Sequence, residues 1–221
     1  MAVQFENEVL MPVGDVTLDG ELQIPREAVG IVLFAHGSGS SRHSPRNQYV
    51  ARVLHDAGVG TLLFDLLTRE EEVIDSFTRH LRFDIVLLAE RLVSATGWLA
   101  NVDAARGLRV GYFGSSTGGG AALMAAAKLG DKVGAVVSRG GRPDLASAWL
   151  PKVKSPTLLL VGELDTVVIG LNREAMRRMT CPTELRLIPD ATHLFEEPGA
   201  LETVAHEAAN WFHTYLGQEK E

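Results

Sequence analysis

Residues 30–35, Gly-Ile-Val-Leu-Phe-Ala, form an apolar run without polar interruption, the mark of a strand covered on both faces. Comparable runs recur at 59–66, 108–113, 133–138 and 157–161, and a last strand is expected over 184–188. Ahead of them, residues 2–10 and 16–24 predict an antiparallel pair at a sheet edge, joined through 12–15, where Pro12, Gly14 and Asp15 supply turn chemistry. Between the runs the period lengthens. Over about 81–99, Ile85, Leu88, Leu92 and Val93 recur at the spacing of one helix stripe, and helices are also expected over about 45–57, after Ser116, around 172–179 and over about 201–216. Strands separated by helices imply an α/β fold, a mostly parallel central sheet with helices on both faces. The acidic run Glu70-Glu71-Glu72 reads as a solvated loop.

No internal repeat or low-complexity linker divides the chain. At 221 residues and 46% hydrophobic content it is large and apolar enough to bury one sizeable core, so residues 1–221 are expected to form one domain. A net charge of −7 argues against a general nucleic-acid binder, which needs a basic face. No run approaches membrane-spanning length, and residues 1–12 carry Glu6 and Glu8 with no unbroken apolar core, unlike a signal peptide. The expectation is a cytoplasmic protein with a small-molecule partner, no membrane or nucleic-acid partner, and room for a homodimer. Cys181 is the single cysteine, which leaves no internal disulfide and no zinc-cysteine cluster. It precedes the last strand and reads as packing.

The chemistry centres on Gly114-Ser115-Ser116-Thr117-Gly118, where an apolar run meets an alanine-rich one. A serine held between two glycines at a strand-to-helix turn is the pattern of a nucleophile elbow. The glycines admit close approach of neighbouring chain, and the helix N-terminus favours developing negative charge. A hydroxyl nucleophile needs a base, and the base needs an orienting acid. Asp165 leaves the end of the 157–161 strand, and His193 leaves the end of the 184–188 strand, so both belong on the sheet edge that carries Ser116. Glu163 and Asp190 are substitutes for Asp165, which could alternatively cap the following helix. Of seven histidines, His193 alone sits in a polar loop after a late strand; His55, His80, His206 and His213 fall in or beside helices. The loop His36-Gly37-Ser38-Gly39 follows the first central strand, so an oxyanion hole is expected from the N–H groups of Ser38 and Thr117, with Gly39 in place of Ser38 if the loop shifts. His36 reads as a buried brace for that loop.

Together these motifs make the chain resemble the α/β-hydrolase superfamily, and within it the compact dienelactone-hydrolase-like carboxylesterases. The resemblance spans nearly the whole chain, from His36-Gly37-Ser38-Gly39 through the elbow and Gly162-Glu163-Leu164-Asp165 to Thr192-His193. It implies ester hydrolysis with no metal or organic cofactor. Dienelactone hydrolases proper use a cysteine nucleophile; serine occupies that position here, which favours serine esterase chemistry. Only a short stretch separates Arg139 from the Asp165 strand, so any lid is expected to be minimal or absent and the site open. Loops at this edge carry Arg42, His43, Arg46 and Asn47, then Arg139 and Arg142. Guanidinium groups there would suit an anionic ester, with Arg42, His43, Arg46 and Arg139 as substrate contacts, unless Asp65, Asp84, Asp144 or the acidic run neutralises them.

Overall fold

A computed structural model describes residues 3–217. Eight strands form one sheet: β1 (Val3–Val13), β2 (Val16–Pro25), β3 (Gly30–Ala35), β4 (Val59–Phe64), β5 (Val110–Ser115), β6 (Val133–Arg139), β7 (Thr157–Gly162) and β8 (Thr183–Ile188). Their order across the sheet is β1-β2-β4-β3-β5-β6-β7-β8. The β1–β2 and β2–β4 pairs are antiparallel, and every pair from β4 to β8 is parallel. Ala2, expected in the first strand, lies outside the described residues. Pro12 belongs to β1 and pairs with Thr17, so the turn is shorter than expected and closes at Gly14 and Asp15. Gly14 adopts φ +59, and an edge strand tolerates a residue without an N–H.

Among the described residues, six α-helices pack around the sheet: α1 (Pro45–Asp56), α2 (Arg69–Thr78), α3 (Ile85–Leu99), α4 (Thr117–Leu129), α5 (Thr166–Arg178) and α6 (Ala200–Leu216). One core joins Leu33, Leu62 and Tyr112 to Leu88, Leu92 and Ala121 of α3 and α4. On the opposite face Val32, Phe113 and Leu158 meet Val50 of α1 and Phe212 of α6. Every residue of β3, β4 and β7 is buried, which explains their unbroken apolar runs. Among the described residues, no helix is long and apolar enough to cross a membrane.

The structure corrects the reading of Glu70-Glu71-Glu72. They form the first turn of α2, where Thr68 accepts the Glu71 N–H and the Glu71 carboxylate returns to the Thr68 N–H. This reciprocal cap satisfies two otherwise orphaned donors, and carboxylates are favoured at the positive end of a helix. Glu71 also pairs with Arg91 at 2.6 Å. The expected 81–99 helix is interrupted: Leu81–Phe83 is a single 3-10 turn, after which Asp84 accepts the Leu87 N–H and starts α3. Buried Asp75 ties that turn to α2 by accepting from the Leu81 N–H at 2.7 Å and pairing with Arg82.

Candidate active site

Ser116 stands between β5 and α4 with φ +50 and ψ −118. That backbone costs a non-glycine residue ~1–3 kcal/mol, so the surroundings must hold it. They do: the Ser116 N–H donates to the Arg139 carbonyl at 3.1 Å, and its own carbonyl accepts from Gly119 and Arg142, each at 3.0 Å. A Cβ on Gly114 would lie 2.5 Å from the Gly118 carbonyl oxygen, and one on Gly118 only 2.1 Å from that of Ala35. Both glycines are therefore demanded by close backbone approach. Neighbouring Ser115 is buried, and its hydroxyl donates to the Asn47 amide oxygen at 3.4 Å.

Asp165 occupies the N-cap position of α5, yet its side chain caps nothing there. Its Oδ2 lies instead 2.6 Å from Nδ1 of His193. This contact fixes the tautomer with the proton on Nδ1 and leaves Nε2 for proton transfer. Asp165 is mostly buried while His193 is partly exposed, an arrangement that suits a base open to substrate and an acid shielded from water. Of the two substitutes, the Glu163 carboxylate is engaged elsewhere. Glu163 accepts the Asp190 N–H at 3.3 Å, and the Leu164 N–H donates to the Ala191 carbonyl at 3.0 Å, so these contacts lash together the loops that carry Asp165 and His193. Gly140, at φ +54, brings its Cα side within contact of the imidazole: a Cβ there would sit 3.4 Å from His193 Cε1. Sequence reasoning missed this position, although a Gly-Gly pair directly after a strand is a visible sign of close approach.

His36 is buried, and both ring nitrogens are used. Nε2 accepts the Leu66 N–H at 3.0 Å, so Nδ1 carries the proton and donates to the Gly37 carbonyl at 3.0 Å. The ring thus clamps the Gly37-Ser38 loop to the end of β4, and a Cβ on Gly37 would lie 3.3 Å from the Ser116 Cβ. Thr117 begins α4, whose first N–H groups have no intrahelical acceptor. Burial pushes the His36 pKa below its ordinary 6.5, outweighing the Gly37 hydrogen bond and the Asp65 charge. Stability from the neutral ring is therefore complete above pH 6.5 and lost as pH falls through the lower folded value. Urea midpoints should drop on acidification from about pH 7 to about pH 5, less so in His36→Asn. Equal drops in the two proteins would assign the acid sensitivity elsewhere.

Ser116, His193, Gly37 and Ser38 line one cavity of about 220 Å³, together with Ser40, Ser44, Arg46, Ser115, Arg139 and Leu194. The expected substrate contacts therefore divide. Arg46 and Arg139 reach the cavity, whereas Arg42 and His43 are not among its lining residues. Arg42 is turned to Asp65, which accepts its backbone N–H at 2.8 Å and pairs with its guanidinium. His43 is exposed, its N–H donating to the Ser41 hydroxyl at 3.2 Å. Arg142 forms a two-pronged pair with Asp144 at 2.8 and 2.7 Å. Carboxylates already pair with Arg42 and Arg142, which sequence alone could not decide.

A mostly parallel eight-stranded sheet with a strained serine at the strand-to-helix turn after β5 and an acid-histidine pair on the loops after β7 and β8 defines a hydrolase of the α/β class. The chain matches the dienelactone hydrolase family over residues 18–216, and it belongs to that family. It is similar to a dienelactone hydrolase from Anabaena variabilis, with 61% identity, 96% of this chain and 98% of that one covered, and a TM-score of 0.94. Est1E from Butyrivibrio proteoclasticus shares the fold at 15% identity and a TM-score of 0.80, covering 96% of this chain and 99% of its own. Two Mycobacterium tuberculosis proteins, provisionally named phosphoribosyl transferases, are 56% identical over 211 residues, or 96% of this chain. The chain spans 47% of their length, about half.

Proposed function

We propose that this protein is a serine hydrolase that cleaves small, water-soluble carboxylic esters through an acyl-enzyme. The carrying observation is the 2.6 Å contact between His193 Nδ1 and Asp165 Oδ2, in a site whose cavity also exposes Ser116 on its strained turn. His193 Nε2 takes the hydroxyl proton as Ser116 Oγ attacks the ester carbonyl, and Asp165 balances the imidazolium. The Thr117 and Ser38 N–H groups hold the oxyanion, a contribution typically worth ~3–4 kcal/mol per donor in such sites. The imidazolium then protonates the departing alcohol. Water attacks the acyl-enzyme with His193 again as base, and Ser116 is released. These steps need no metal or organic cofactor.

Small size is supported by the cavity, whose volume of about 220 Å³ lies below the ~300–1,000 Å³ usual for ligand pockets. The name of the Anabaena relative favours a second reading, opening of a lactone ring by the same serine, and the same acyl-enzyme could pass its acyl group to an alcohol. We assign the transferase name of the mycobacterial relatives to the half of their length that this chain does not span. A fluorophosphonate should label Ser116 stoichiometrically, and p-nitrophenyl esters should be turned over faster with short acyl chains than with long ones. Absence of both labelling and turnover across esters and a dienelactone would leave a ligand-binding protein on a hydrolase fold.

A further inference from the structure

Helix α2 is built with its polarity reversed. The stripe at i, i+3, i+4 and i+7, made by Glu70, Val73, Ile74 and Phe77, faces solvent, and Phe77 is 85% exposed. The side turned to the rest of the molecule is polar instead. Asp75 is fully buried, accepts the Leu81 and Arg82 N–H groups at 2.7 and 3.3 Å and pairs with the Arg82 guanidinium, while Glu71 pairs with Arg91. These partners fix which side of the helix points inward, so the apolar stripe has no route into the core of its own copy. Phe83, in the 3-10 turn that Asp75 anchors, and Val86, in the first turn of α3, are also more than half exposed.

The five apolar residues together expose on the order of 500 Å², and apolar surface of that extent with a polar rim marks an interaction face. Two-fold pairing covers the same patch on both copies, which removes about 1,000 Å² from these residues alone. The charged rim brings the total into the ~1,200–2,000 Å² of a stable interface. The rim charges also match under a two-fold axis. Helix α2 carries Glu70 in its first turn and Arg79 at its C-cap, with His80 following. Antiparallel pairing therefore sets the acidic end of each helix beside the basic end of the other. An acidic first turn and a net charge of −7 oppose an anionic lipid surface.

We propose that the face centred on Val73, Ile74 and Phe77 docks a second copy of this chain, with the two α2 helices antiparallel about a two-fold axis near Ile74. None of the five apolar residues lines the cavity that exposes Ser116, so the pairing stands independently of the serine hydrolase reading.

Sedimentation velocity on the full chain tests it. At about 100 µM the native protein should run at twice the monomer mass, and Phe77→Asp should raise the dimer dissociation constant at least about 100-fold, because each dimer loses two central aromatic anchors. Ile74→Asp should act likewise. Both side chains lie outside the core, so circular dichroism of the variants should match that of the native protein. A second arm needs neither variant. In a Cys181→Ser background, Ile74→Cys should close an inter-chain disulfide on oxidation with diamide, whereas Leu10→Cys, at an exposed position of β1, should not. Glu70→Arg should weaken pairing, and adding Arg79→Glu to the same chain should restore it, a rescue specific to antiparallel self-pairing. A native protein that stays monomeric at the same concentration would overturn the proposal. So would a dimer that Phe77→Asp leaves intact, or one that cross-links through Leu10→Cys and not through Ile74→Cys. A native monomer that floats with phosphatidylcholine vesicles, and ceases to do so as Phe77→Asp, would overturn it by assigning the face to lipid.

Discussion

Replacing Ser116 with alanine should lower kcat by about 10⁴- to 10⁶-fold while the protein still folds, because a nucleophile and its base act as one unit whose loss leaves only binding and oxyanion stabilisation. Alanine occupies the same strained φ of +50, so the contacts from Arg139, Gly119 and Arg142 that hold the turn are preserved. A stability change within about 0.5 kcal/mol, or roughly 2 °C in Tm, is expected. The comparison requires circular dichroism and melting curves beside the kinetics. Activity reduced by less than tenfold would move the nucleophile elsewhere, and Ser115 is a poor successor: it is buried and its hydroxyl is committed to Asn47.

Gly118→Ala should damage both activity and stability. The added Cβ would meet the Ala35 carbonyl oxygen at 2.1 Å and that of His36 at 2.6 Å, and these obstacles are backbone rather than the movable end of a side chain. Relief requires α4 and the end of β3 to part, displacing the loop that carries Gly37 and Ser38 from Ser116. Overpacking of this kind costs ~1–3 kcal/mol, a Tm loss of about 2–12 °C in a chain of this size. Activity should fall by at least tenfold, since the N–H groups proposed to hold the oxyanion would lose their aim. Gly97→Ala is the control, because nothing lies within 4 Å of the new Cβ and alanine favours a helix. A melting temperature for Gly118→Ala equal to that of Gly97→Ala would contradict the close approach on which the elbow rests.

The central strands were legible because burial on both faces leaves no room for polar residues; β3, β4 and β7 therefore read as apolar runs at nearly their observed bounds. The positions of Ser116, Asp165 and His193 were legible through topology. A parallel sheet delivers successive strand ends to one edge, so order along the chain becomes proximity in space. Helix α2 escaped because only Asp75 of it is buried, while Val73, Ile74 and Phe77 face outward, and a helix held by polar contacts shows no core stripe. Its start was nevertheless written in Thr68-x-x-Glu71. The arginines were equivalent by sequence and proved unlike in space, because residues distant along the chain pair with some of them: Asp65 with Arg42 and Glu196 with Arg46, whereas among the described residues Arg139 Nη1 has no hydrogen-bond partner. Counter-ions follow from three-dimensional neighbourhood, which local pattern does not encode.

The bond from the Ser116 N–H to the carbonyl of Arg139 is made by backbone alone. Any residue at 139 keeps that bond, whatever its side chain brings to the cavity. Descendants of this protein are therefore free to exchange the side chain at this point of the cavity wall while inheriting the strained turn intact, so the lining can change by single-letter steps without disturbing the backbone that holds Ser116.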